Sequence, residues 1–184
     1  MKTIAIFLIM LGASALAEET EIQCRLLGLF QPDRAEDLRL LVEEQMPDVA
    51  LVGVDFATAI ATFRADAENA FPNAKTPEKI LEQLDQKLRS ESQGTFEARP
   101  LSTTPVDKLE EVKIPILGLD CKGCSYGAYV AVYKIEGVEF ASASFREGLV
   151  VARFDPEKTS LAALEEALSK KRISIKGKPG SESN

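Results

Sequence analysis

The chain has 184 residues, of which 45% are hydrophobic and 28% are charged, and its formal net charge at pH 7 is −7. This length allows one ordinary domain or two small ones, and the apolar content is sufficient for a packed core. The acidic balance argues against nucleic acid as a partner, because the basic surface that displaces counterions from phosphates is lacking. The sequence contains no histidine, which excludes imidazole catalysis and imidazole metal ligation by this chain alone.

Residues 1–17 are predicted to be a signal peptide. Lys2 is followed by a short apolar run over residues 4–11 and by a small-x-small cleavage pattern at residues 15–17. The apolar run is too short to span a bilayer, and we expect no membrane insertion of the mature chain. The sequence therefore predicts a mature protein that begins near Glu18 and is periplasmic or secreted.

The first half, residues 18–100, is predicted to follow the order β-α-β-β-α-β. Alternating apolar residues Ile22, Cys24 and Leu26 indicate a half-buried strand, in which Cys24 is expected to be a buried structural thiol. Thr76 and Pro77 are a good N-cap and first residue for the second helix. The remaining elements are predicted as a helix carrying Leu38, Leu41 and Val42, strands 49–54 and 57–64, a helix carrying Ile80, Leu81, Leu84 and Leu88, and a closing strand 96–99.

After a linker at residues 101–111, the second half, residues 112–177, repeats the same order. We expect strands at 112–116, 140–144 and 149–154, a helix from about 125 to 135, a helix capped by Thr159 or Ser160, and a last strand at Ile173 and Ile175. Residues 178–184 are predicted to be a disordered tail. The fold class is therefore α+β, with two tandem ferredoxin-like domains, each an antiparallel four-stranded sheet with two helices on one face.

The loop Gly-Leu-Asp-Cys-Lys-Gly-Cys at residues 118–124 is the candidate chemical site. Two thiolates at this spacing can bind one metal ion, and a following helix N-terminus together with Lys122 favours the thiolate form. Thiolate pairs suit soft or borderline ions such as Cu(I), Zn(II), Cd(II) or Hg(II). The candidate ligands are therefore Cys121 and Cys124, whereas a closed four-cysteine zinc site within one chain is excluded.

That loop, the helix after it, Glu-Gly-Val at 136–138 and Val-Val-Ala-Arg-Phe-Asp-Pro at 150–156 together resemble the heavy-metal-associated domain family. The family includes copper chaperones, N-terminal domains of metal-exporting ATPases and periplasmic mercury-binding proteins. The resemblance implies that Cys121 and Cys124 bind the metal, and that the partner is a metal transporter or chaperone. Asp120 resembles the aspartate of zinc-exporting ATPases and can supply an oxygen ligand, or it is a solvated turn residue. Lys170 and Lys171 instead resemble the lysine that copper chaperones often carry before the last strand, where it offsets the thiolate charge. The identity of the metal is therefore left open.

The corresponding loop of the first half carries no cysteine. Aligning Gly28 with Gly118 places Gln31 and Arg34 at the positions of the two cysteines. We therefore expect a degenerate copy that does not bind the metal and whose role is structural or partner-binding.

All three tyrosines of the chain, Tyr126, Tyr129 and Tyr133, fall on one face of the helix after the motif. The opposite stripe is also apolar, and a helix that is apolar all round is usually covered on both sides. The tyrosine face is therefore predicted to pack on the first domain, or else on a partner or second copy.

Three functions are compatible with the motif. The first is metal carriage or sequestration by ligand exchange, which needs no enzyme activity. The second is an interaction or structural module in which the cysteine pair forms a disulfide. The third is a thiol oxidoreductase, although the element order is wrong for a thioredoxin-like fold.

Overall fold

The computed structural model describes residues 19–117 and 121–177. The predicted signal peptide, the predicted tail at 178–184 and Asp120 lie outside the described residues. The elements of the first half are β1 (Glu19–Leu27), α1 (Arg34–Gln45), β2 (Val49–Asp55), β3 (Ile60–Asp66), α2 (Ala67–Ala70), α3 (Pro77–Glu91) and β4 (Glu97–Arg99). Those of the second half are β5 (Glu110–Leu117), α4 (Lys122–Tyr133), β6 (Val138–Ser144), β7 (Leu149–Phe154), α5 (Leu161–Lys170) and β8 (Ser174–Ile175).

The two halves have the same sheet topology. The strand order is β2-β3-β1-β4 in the first sheet and β6-β7-β5-β8 in the second, and all neighbouring strands are antiparallel. The prediction of two tandem ferredoxin-like domains is confirmed. Only the short helix α2 is an addition to the expected order of the first half, and the Asp66 side chain caps it by accepting from the N–H groups of Glu68 and Asn69.

The hydrogen bonds that cap the helices show where each predicted helix begins. The Thr76 hydroxyl accepts from the Lys79 N–H at 3.4 Å, and Ser160, rather than Thr159, caps α5 through the Ala163 N–H. Helix α4 begins at Lys122, three residues before the predicted start, because Cys121 is its N-cap. Strand β5 begins at Glu110, within the segment assigned to the linker, because Glu110 pairs with Phe154 of β7.

Each sheet and its helices enclose an apolar core. Cys24, Leu38, Phe63 and Leu84 are all fully buried in the first core, so the expected burial of Cys24 is confirmed. The second core is built around α4 and β7, but it also takes in Leu27 and Phe30 of the first half. The two halves therefore pack against each other through the end of β1 and the segment that follows it.

Within the described residues, no helix combines the length and apolar character needed to cross a bilayer.

Candidate metal site

Cys121 lies at the junction between the loop and α4. Its backbone is extended, with φ −153° and ψ 162°, and its Sγ accepts a hydrogen bond from the Cys124 N–H at 3.1 Å. The sulfur therefore occupies the position of an N-cap oxygen, where the helix dipole and an N–H donor both favour negative charge. This local geometry supports thiolate formation at Cys121.

Cys121 is the N-cap of α4, and Cys124 lies in the first turn of the same helix. Cys121 is exposed and Cys124 is half-buried, so an ion bound between them would be accessible from solvent. Among residues 19–117 and 121–177, no cluster of three or more Cys, Asp or Glu side chains could hold a metal ion. Asp120, the predicted oxygen donor, falls outside the described residues.

Lys122, between the two cysteines, reaches across to the first domain. Its Nζ lies 2.6 Å from Asp33 Oδ2, and this hydrogen bond lowers the pKa of the Asp33 carboxyl below its usual value. Part of the Lys122 charge is therefore offset by a residue of the first half. Of the two lysines noted in the sequence, Lys170 is ion-paired with Glu166 on α5 at 2.8 Å.

The degenerate loop of the first half is buried against the second domain. Gln31 is 8% exposed and donates through Nε2 to the Ala143 carbonyl at 3.1 Å, while the Ala143 N–H donates to the Phe30 carbonyl at 3.0 Å. Ala143 belongs to β6, the edge strand of the second sheet. The loop therefore satisfies backbone groups of an edge strand that would otherwise be open to pairing with another chain. Arg34, at the position of the second cysteine, instead stacks on the Phe96 ring at 4.8 Å.

The tyrosine face of α4 completes this contact between the domains. Tyr129 and Tyr133 are each 1% exposed, and the Tyr129 hydroxyl accepts a hydrogen bond from the Gly28 N–H at 2.9 Å. The Phe30 ring packs between Tyr126 and Tyr129, with centroid distances of 5.4 Å and 5.8 Å. Of the two alternatives, the structure shows packing on the first domain.

The sequence alone did not predict that the first domain packs on the second through its loop without cysteines. The signal that could have found it is the apolar side chain of Phe30, in a loop that the repeat alignment places at the exposed end of the domain. Two interdomain ion pairs were also unforeseen, Arg25 with Glu139 and Asp33 with Lys122.

No family model and no curated protein matches the chain. Several solved structures are similar to it. Oxidized MerP from Ralstonia metallidurans CH34 is 28% identical, with 37% of this chain and 97% of that chain covered and a TM-score of 0.35. The N-terminal soluble domains of Bacillus subtilis CopA are 24% identical, with 90% and 99% covered and a TM-score of 0.34. The N-terminal domain of a potential copper-translocating P-type ATPase from Bacillus subtilis, in the Cu(I)-loaded state, is 28% identical, with 41% and 99% covered and a TM-score of 0.34.

The second half thus combines the β-α-β-β-α-β order with a Cys-x-x-Cys sequence at the junction of its first strand and first helix. The first half has the same fold, and its equivalent loop is buried in the domain contact. The chain resembles a tandem pair of heavy-metal-associated domains in which only the second retains the cysteines.

Proposed function

We propose that this chain is an exported heavy-metal-binding protein that holds a soft metal ion through Cys121 and Cys124. The observation that carries the proposal is the position of Cys121 Sγ at the N-terminus of α4, 3.1 Å from the Cys124 N–H. A thiolate there is stabilised by the helix dipole, and the second thiol lies one turn away. Thiolate pairs select Cu(I), Zn(II), Cd(II) or Hg(II) over hard ions.

The ion would be cargo, to be carried or sequestered, and its transfer needs no covalent step on the protein. Because Cys121 is exposed, a thiolate of a transporter or chaperone can approach the bound ion from solvent and replace the two protein ligands in turn. This exchange is binding rather than catalysis, and we propose no enzyme activity. Export to the periplasm or cell exterior is proposed from the N-terminal signal sequence alone.

A second candidate function is an interaction module in which Cys121 and Cys124 form a disulfide. Two considerations favour it: the proposed exported compartment would promote oxidation, and the first domain packs against the second. The two functions differ in the redox state in which the loop works, since only the reduced pair can bind metal.

Thiol counting and metal titration on the reduced chain from residue 18 separate these functions. Two readily reactive thiols and uptake of about one ion per chain, competed with a chromophoric chelator, are expected for the metal carrier. Cys121→Ser should abolish this uptake, whereas Cys24→Ala, which removes the third thiol, should leave it unchanged. No uptake of Cu(I), Zn(II) or Hg(II) by the fully reduced chain would overturn the proposal.

The role of Asp120 is tested in the same titration. If its carboxylate is a third ligand, Asp120→Asn should weaken Zn(II) binding about tenfold or more and leave Cu(I) binding nearly unchanged, because oxygen ligands suit the harder ion. Equal effects on both ions would assign Asp120 to the turn rather than to the metal.

A further inference from the structure

The charge beside the cysteine pair is shared between the two domains. Lys122 lies between Cys121 and Cys124 in the sequence, and its ammonium group pairs with the Asp33 carboxylate of the first domain at 2.6 Å. Lys122 and Asp33 are 89 positions apart, so this contact exists only because the domains pack together. It brings a carboxylate from a domain without the motif to the side of the two candidate ligands.

Asp33 belongs to a segment that is anchored at the domain contact. It is the N-cap of α1, and its carbonyl accepts a hydrogen bond from the Asp37 N–H at 3.3 Å. Three residues earlier, the Phe30 ring packs on Tyr126 of α4 with a centroid distance of 5.4 Å. The backbone that carries the carboxylate therefore lies against the helix that carries the cysteines.

The formal charge of the loaded site depends on the charge of the ion. Two thiolates with Cu(I) carry one net negative charge, whereas two thiolates with Zn(II), Cd(II) or Hg(II) are neutral. A lysine alone beside the site would stabilise the anionic Cu(I) complex. Asp33 offsets the charge of Lys122 and so cancels this effect, which shifts the preference of the site towards divalent ions.

From the interdomain ion pair and this charge balance, we propose that Asp33 is a specificity-determining residue that biases the site towards a divalent soft ion and against Cu(I). The inference rests on the proposed binding of metal by Cys121 and Cys124, and it adds the class of ion that they hold. It also gives the first domain a role at a site to which its degenerate loop supplies no cysteine. Because the carboxylate acts through its charge, the bias should weaken as salt is added.

Competition titrations of the reduced chain from residue 18 measure this preference, with Cu(I) and Cd(II) each competed against a chromophoric chelator under anaerobic conditions. Asp33→Asn should raise the ratio of Cu(I) affinity to Cd(II) affinity about threefold in about 50 mM salt, and much less in about 0.5 M salt. The expected change is small because the paired side chains of Asp33 and Lys122 are 49% and 63% exposed. Lys122→Gln should shift the same ratio in the opposite direction, which a loss of local structure at the contact would not do.

Glu43→Gln is the matched control, because it removes the same charge from the same helix. Glu43 is paired with Arg39 on α1 and lies ten residues beyond Asp33, which is about 15 Å along the helix axis. An exposed charge at that distance acts much more weakly on the site. The control should therefore change the affinity ratio by less than about 1.5-fold.

A second readout needs no metal. In a Cys124→Ser variant, alkylation of Cys121 by iodoacetate and by iodoacetamide compares an anionic with a neutral reagent at the same sulfur. Asp33→Asn should raise the ratio of the iodoacetate rate to the iodoacetamide rate about twofold, because one charge that repels the anion is removed. Both reagents attack the thiolate, so the ratio cancels any change in the fraction of thiolate. Glu43→Gln should leave this ratio unchanged.

The outcomes separate the inference from the proposed function. If the wild-type chain binds neither Cu(I) nor Cd(II), the proposed metal function fails and the inference falls with it. If the wild-type chain binds both ions but Asp33→Asn leaves either ratio unchanged, only the inference about Asp33 is overturned. It is also overturned if Glu43→Gln shifts the affinity ratio as much as Asp33→Asn does.

Discussion

The stability of the protein should respond differently to removal of the hydroxyl groups of Tyr129 and Tyr133, which lie one turn apart on α4. Tyr129 and Tyr133 are equally buried, and their rings stack at 5.3 Å. The Tyr129 hydroxyl accepts from the Gly28 N–H at 2.9 Å, whereas the Tyr133 hydroxyl has no hydrogen-bond partner among the described residues. Replacement by phenylalanine keeps the ring in both cases, so each substitution tests the hydroxyl group alone.

The magnitude follows from what each substitution leaves behind. Tyr129→Phe leaves the buried Gly28 N–H without an acceptor, which should lower the free energy of unfolding by about 2 kcal/mol, within the range for an orphaned buried group. Tyr133→Phe removes a polar atom that burial penalises, so it should be neutral or should raise stability by up to about 1 kcal/mol. For a chain of this size, the first change corresponds to a fall in Tm of roughly 4–8 °C.

Urea unfolding followed by far-ultraviolet circular dichroism measures both effects, which suits a chain without tryptophan. The comparison is valid where the slope with denaturant is unchanged, because a changed slope indicates a different extent of unfolding. If Tyr133→Phe destabilises the protein as much as Tyr129→Phe, the Tyr133 hydroxyl contributes as much stability as the hydrogen bond from the Gly28 N–H to Tyr129. The reasoning is then refuted.

Three further predictions concern the first domain and its contact with the Cys-x-x-Cys motif. Burial, with a smaller contribution from the charge of Asp85, raises the pKa of Cys24 from 9.0 to about 12. The Cys24 thiol should resist alkylation at pH 8 until the protein unfolds, and rapid alkylation in the native protein would contradict this expectation. The stability that the protonated thiol contributes should be lost only as pH rises from 9 towards 12. The pKa of Asp33 is lowered by Lys122, so the stability gained from this pair is present above pH 4 and lost as pH falls through the lowered pKa. Lys122→Gln should return the Asp33 pKa, followed by carboxyl NMR, towards its usual value, and an unchanged pKa would show that the pair does not form. Gly28→Ala should lower the free energy of unfolding in urea by at least about 2 kcal/mol, since φ is +108° and a Cβ would lie 2.5 Å from Phe96 and from the Thr95 carbonyl. The control is Gly94→Ala, where φ is +76° but the space is open, and it should cost only about 1 kcal/mol. Equal losses in the two variants would show that the clash at Gly28 is not the cause.

Much of the fold could be predicted because it is determined by near neighbours in the chain. Alternation around Ile22 and Cys24 predicted β1 and the burial of the thiol, and Thr76 predicted the start of α3. The start of α4 was placed three residues late, because the pattern of apolar residues does not reveal that a cysteine sulfur can take the N-cap position. Metal binding by Cys121 and Cys124 remains a prediction of the motif, which the titration above tests.

The sequence by itself determined two β-α-β-β-α-β units, the cysteine pair at a strand–helix junction and a tyrosine face that needed cover. Only the tertiary structure decided what covers that face, because the contacting groups are far apart in sequence: Gly28 and Tyr129 are separated by 101 positions, and Gln31 and Ala143 by 112. Periodicity reports which face of an element is apolar, but it carries no information about the partner of that face. The burial of the loop without cysteines and the pairing of Lys122 with Asp33 beside the Cys-x-x-Cys motif follow from the packing of the two domains.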